Sequence, residues 1–142
     1  MSGLRLCYSY VFTKEECMPE LIGSPTPISS VGNKPKFCDE FVGHVNNGES
    51  RISITVVRSP GGWQGTNQYG DYDEYRVVLK GMLRVEHAGG AIDVEAGQAL
   101  WVKPQEWVRF STPREGGAEY INVCMPTFSR ATLHREKLKA AQ

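Results

Sequence analysis

The sequence predicts a single all-β domain, and three observations carry that prediction. The chain is turn-rich, with 15 glycines and 8 prolines in 142 residues, and its apolar stretches are short, the pattern of strands joined by tight turns. Residues 51–58 alternate cleanly, with Ile52, Ile54 and Val56 on one face and Ser53, Thr55 and Val57 on the other. From Lys36 onward turn signals recur at strand-length spacing. A sandwich, a jelly roll or a closed barrel each accommodates seven or eight such strands.

Taken in order, residues 1–35 read as an N-terminal arm and loop. Residues 4–12 alternate weakly, as an edge strand would. Thr13 followed by Lys14, Glu15 and Glu16 reads as a helix cap and acidic first turn. Gly23-Ser24-Pro25-Thr26-Pro27 reads as extended loop. The barrel is expected over 36–125. Strands are expected at 37–45, 51–58, 74–79, 82–87, 91–94, 99–102, 106–111 and 118–123, with turns at Asn46-Asn47-Gly48, Lys80-Gly81, Ala88-Gly89-Gly90 and Lys103-Pro104-Gln105. Residues 63–73 form a polar, aromatic loop. Residues 126–142 read as a short helical or irregular tail, basic at Arg130, Arg135, Lys137 and Lys139, and 126–135 are long enough to reach a second subunit.

Charge narrows the partners. Lys and Arg number 16, Asp and Glu 16. A formal charge of zero lacks the basic footprint of a nucleic-acid binder and the polybasic signal of a membrane-surface protein. No apolar run is long enough for a transmembrane helix, and the first residues show no apolar signal-peptide segment. Cys7, Cys17, Cys38 and Cys124 form no CxxC pair. Free thiols in a reducing, cytoplasmic setting are expected.

The stretch from Ser50 to Val123 resembles the cupin superfamily, small double-stranded β-helix barrels of jelly-roll type. Two cupin motifs, G(X)5HXH(X)3–4E(X)6G and G(X)5PXG(X)2H(X)3N, supply three His and one Glu to a metal in the barrel. Gly61, Glu74 and Gly81 keep the first motif's spacing, but its histidine positions fall on Asn67 and Tyr69, or on Gln68 and Gly70. The second motif, counted from Gly97 without a gap, places Lys103, Gln105, Val108 and Thr112 at its Pro, Gly, His and Asn; a one-residue insertion would place Pro104 and Arg109 instead. Of the four expected ligands only Glu74 is present. Amide oxygens are weak transition-metal ligands, so neither metal nor other cofactor is expected. His44 is the histidine placed to rebuild a site, with Glu74 and Gln68.

The resemblance puts Glu74, Arg76 and Val78 on the barrel's inner face. Glu74 is the candidate general acid or base, with Tyr69 as hydrogen-bond or proton donor. Trp63, Asn67, Gln68, Arg76, Val108 and Tyr120 are the candidate ligand-binding residues. Arg109 is expected to face outward. The chain is expected to bind a small molecule, as a metal-independent isomerase, cyclase or lyase. A metal-dependent enzyme with rearranged ligands and a non-catalytic effector-binding module are the alternatives. A homodimer is expected, since small cupins pair through sheet edges and terminal strands.

Overall fold

A computed structural model describes residues 4–7, 10–13 and 18–136. Among them are thirteen strands and no helix: β1 (Leu4–Cys7), β2 (Tyr10–Thr13), β3 (Thr26–Ile28), β4 (Phe37–Val42), β5 (Ser53–Ser59), β6 (Trp63–Gln64), β7 (Gln68–Gly70), β8 (Asp73–His87), β9 (Gly90–Glu95), β10 (Ala99–Val102), β11 (Arg109–Thr112), β12 (Ala118–Met125) and β13 (Leu133–Arg135). Among the described residues no helix is long and apolar enough to cross a membrane.

Strand β8 organises the barrel. Its first half pairs with β12 on one side and β10 on the other; its second half pairs with β11 and β9. From β12 the first sheet continues through β5 and β4 to β3, and β11 leads to β6 at the edge of the second. Lys80 and Gly81, expected to form a turn, lie inside this 15-residue strand. Gly81 has φ +73°, and a Cβ there would fall 2.0 Å from the Gly117 carbonyl oxygen. The chain bends into the second sheet at Gly81 because only glycine permits both that dihedral and that approach. Val78 before the bend and Met82, Leu83 and Val85 after it are all buried.

Four further expectations are corrected. Residues 26–28 form β3 rather than loop, and Pro27 is tolerated because β3 is the outermost strand of its sheet. Residues 63–73 contain β6 and β7. The N-terminal alternation is two strands, β1 and β2, paired with each other. The described part of the tail, expected to be helical or irregular, contains a strand: β13 pairs with β7, setting Leu133, His134 and Arg135 opposite Gly70, Tyr69 and Gln68. The tail thus folds back on its own barrel, helped by Thr127 N–H donating to Ser50 O and Phe128 N–H to Ser53 Oγ. The helical turn expected after Thr13 and the last six residues of the tail lie outside the described residues.

The inward faces are unusually polar. On β5 it is Ser53, Thr55, Val57 and Ser59 that point in. On β4 Cys38 and Glu40 point in, leaving Phe37 72% exposed. Glu40, 1% exposed, accepts the backbone N–H groups of Val45 and Asn46, each at 2.9 Å, and so closes the turn after β4. Those bonds replace the water a buried carboxylate gives up. The apolar core lies deeper, around Val78, Leu83, Val85, Val94, Phe110 and Tyr120.

Candidate functional site

The barrel holds a small internal cavity. About 70 Å³ is open to the centre of a water-sized molecule, room for several waters or one compact ligand. Its wall takes Glu74 and Arg76 from β8, Thr55 and Val57 from β5, Tyr120 and Asn122 from β12, and Phe110 from β11. Two further segments line it: residues 28–31, which run on from the end of β3, and Phe128, Leu133 and Arg135. Asn33 ties the first to β6, donating its N–H to Gln64 O and accepting from Gln64 N–H. Arg130 ties the second to the first through Ser29 Oγ at 2.8 Å.

At the centre is a buried polar network. Glu74 Oε2 lies 3.3 Å from Arg76 Nη2, and both side chains are 6% exposed. Arg76 Nη1 donates to Tyr120 Oη at 3.2 Å, and its Cζ sits 3.5 Å over the centre of the Phe110 ring. The Cys124 thiol donates to Glu74 Oε2. Burial works to lower the Arg76 pKa, and Glu74 and Tyr120 more than reverse it, so the guanidinium stays charged. Burial pushes the Tyr120 phenol up to about 12 and raises Cys124 and Tyr72 further; nearby Glu74 adds to each. All three remain neutral, and of them the Cys124 thiol is the one that donates to Glu74. Arg76 Nε and Asn122 Oδ1 are buried without a hydrogen-bond partner.

Two cations lie at the edges of this network. Arg135 reaches Gln68 Oε1 at 3.2 Å and Thr66 Oγ1 at 3.4 Å, and meets no carboxylate among the described residues. Lys36 is half-buried as a residue, and its Nζ sits 3.7 Å above the centre of the buried Trp63 ring. Burial lowers the Lys36 pKa from 10.5 to about 7, with Arg76 and Arg135 adding to the effect. The indole face favours the ammonium by about 2 kcal/mol, which at about 1.4 kcal/mol per pH unit returns only part of that shift. Lys36 therefore remains far less basic than an ordinary lysine.

Of the residues expected from the sequence, Glu74, Arg76, Trp63, Gln68 and Tyr120 line this cavity. Tyr69, Asn67 and Val108 do not. Strand alternation on β7 sends Gln68 inward and Tyr69 outward, where it stacks on His134 and meets Trp107 edge-on. Asn67 bonds Glu136 in a separate surface hollow. Val108 is buried in the apolar core and bridges to Gln68 through its backbone. Phe110, two residues on, is the β11 side chain that meets Arg76. Arg109, whose side depended on the alignment chosen, faces outward and pairs with Glu86. Lys36, Arg135 and Tyr72 line the cavity without having been marked as candidates from the sequence, and Asn122 joins Tyr120, whose strand face it shares. Lys36 was detectable, since it shares the phase of Cys38 and Glu40; Arg135 was not, because its place depends on a strand pairing.

The donor set does not suit the metal that the cupin resemblance implies. Imidazole is missing from the cavity wall, and Glu74 is already matched by the Arg76 guanidinium, with Lys36 and Arg135 close by. A dication would enter a site that already carries cations. His44 is exposed and lines a different hollow with Glu40 and Arg130, so it does not meet Glu74 and Gln68. Among the described residues no three His, Cys, Asp or Glu side chains gather as a metal site would need.

No family model matches the chain. A curated relative, endoribonuclease YbeY of Myxococcus xanthus, is 29% identical over 104 residues, 73% of this chain and 35% of that protein. The chain thus spans about a third of that relative's length. Among solved structures, polyketide cyclase RemF of Streptomyces resistomycificus superposes with a TM-score of 0.68 at 13% identity, covering 86% of this chain and 87% of that one. Oxalate decarboxylase of Bacillus subtilis gives 0.66 at 16% identity, covering 80% of this chain and 30% of that one. Both are cupin-fold proteins, and the chain has the cupin fold.

Proposed function

We propose that the barrel binds a compact organic molecule bearing a carboxylate, held without a metal between Arg135 and the Arg76 network. One observation carries this reading: among the described residues the cavity wall has three basic side chains, Lys36, Arg76 and Arg135, against a single carboxylate, Glu74. The partnerless Arg76 Nε and Asn122 Oδ1 supply a further donor and acceptor. An apolar pocket with a few convergent polar groups is the usual form of a small-molecule site. The names polyketide cyclase and oxalate decarboxylase denote enzymes of small organic substrates, which agrees with this reading. The endoribonuclease name belongs to a protein of which this chain spans 35%, and a cavity of this size admits no polynucleotide.

The test is calorimetric titration with small carboxylic acids and with their uncharged amides. Acids should bind and amides should not, and Arg135→Gln should weaken the acids by roughly tenfold, about the value of one charge-assisted hydrogen bond. Equal binding of acid and amide would remove the proposal.

A second reading keeps Glu74 as an acid or base in an isomerase, cyclase or lyase. It is favoured by Glu74, which lines the cavity and whose Oε1 accepts no hydrogen bond among the described residues.

We also propose a homodimer. The outer face of the first sheet carries two adjoining apolar rows, Val56, Ile121, Val77 and Ala99, then Ile54, Val123, Tyr75 and Trp101. Val77 is 38% and Trp101 52% exposed. A patch of this kind on a sheet face favours a partner, and a second copy is the occupant proposed. Free Cys38 and Cys124 support a reducing compartment.

A further inference from the structure

We propose that Lys36 is a carbonyl-reactive amine and that the ligand it captures is a compact 2-oxo acid, held as an imine. The inference rests on the carboxylate-binding reading above and adds a covalent step to it.

Lys36 stands just before β4 in the inward phase of Cys38 and Glu40. A lysine turned into a barrel normally finds a carboxylate. This one finds none of its own. Its Nζ rests over the Trp63 ring and, among the described residues, makes no hydrogen bond or ion pair. Glu74, the one carboxylate among the described residues of the cavity wall, is engaged with Arg76. The groups facing Lys36 are Arg76 and Glu74 from β8, Arg135 from β13, Cys38 from β4 and Trp63 from β6. Desolvation and an adjacent cation are the two devices that make a lysine nucleophilic near neutrality, and both are present. The lowered basicity noted above follows from the same arrangement.

The step balances without a co-reactant. The Nζ lone pair forms the N–C bond, and the carbonyl π pair moves to oxygen, which takes a proton to give a carbinolamine. The C–O bond then breaks and the oxygen leaves as water, carrying the two protons that the amine gives up. Arg135 would hold the neighbouring carboxylate, and the neutral Tyr72 hydroxyl on the same wall is a donor for the departing oxygen.

The whole protein is incubated near neutral pH with pyruvate and sodium cyanoborohydride. Nα-acetyl-lysine serves as internal reference, and adducts are mapped by peptide mass spectrometry. A parallel reaction uses propanal, which has the carbonyl without the carboxylate. Lys36 should carry the pyruvate adduct at roughly 100-fold the reference rate, the ratio of free-amine fractions discounted for the weaker base. Its preference over the reference should be larger for pyruvate than for propanal. Lys36→Arg and Lys36→Met should each give no adduct. Equal preference for the two carbonyls would keep the reactive amine and overturn the 2-oxo acid. Pyruvate binding with Lys36 labelled no faster than the reference would leave the carboxylate site standing and overturn the amine.

Discussion

The Glu74 carboxylate and the Arg76 guanidinium face each other at 3.3 Å inside the barrel, two residues apart on one strand. Each offsets the burial of the other, and removing one leaves the other charged in a nearly dry site. Glu74→Gln should therefore cost about 3–5 kcal/mol of stability, read as a shift in the urea midpoint. A variant that folds normally and loses only catalysis would instead support Glu74 as an acid or base.

The Lys36 burial cost depends on pH. Its folded pKa of about 7 lies below the unfolded value of 10.5, so between those values the unfolded chain holds a proton that the folded chain does not. Wild-type stability should rise with pH across that window relative to Lys36→Met, by a few kcal/mol at about 1.4 kcal/mol per unit. Below pH 7 both states are protonated, and the variant should be the more stable by a constant amount. Urea denaturation of both proteins across the range measures the difference. Parallel curves would show that Lys36 titrates normally.

Burial raises the pKa of Cys38 and of Cys124, and thiols held protonated react slowly. Alkylation of both by iodoacetamide should run at least about tenfold slower in the folded chain than in urea, as counted by peptide mapping. Equal rates in the two states would mean that one or both thiols open to solvent.

Gly81 should tolerate no side chain. Gly81→Ala combines a left-handed dihedral, worth roughly 1–3 kcal/mol, with a Cβ 2.0 Å from Gly117 O. The expected result is a steep loss of thermal stability or of soluble protein. Gly23→Ala, with nothing within 4 Å of its Cβ, should be neutral and serves as the control.

If the outer face of the first sheet joins two copies, a charge at its centre should separate them. Val77→Asp and Ile121→Asp each place a carboxylate in adjoining positions of the patch. Light scattering should report a dimer for wild type and a 15.8 kDa species for either variant. A wild-type monomer at micromolar concentration would end the dimer proposal.

The strand alternation of β8 is local chemistry, and it was enough to set Glu74, Arg76 and Val78 on one face; the cupin resemblance made that face the inner one. The same holds for the turn residues, which marked most strand boundaries from residue 36 on, and for the spacing of Gly61, Glu74 and Gly81, which pointed to the cupin fold. Tertiary packing decided what local pattern left open or pointed to wrongly. Strand β4 buries Glu40 and exposes Phe37, because two backbone N–H groups of the following turn receive the carboxylate. Gly81 bends a strand instead of ending one, because Gly117 of β12's approach lies against it. Arg135 and Lys36 reach the cavity through pairings and segments remote in the chain, and the Lys36 pKa falls because burial and two guanidiniums brought near it in space make its charge costly. Such effects depend on which groups meet across the fold, and no stretch of sequence carries that information alone.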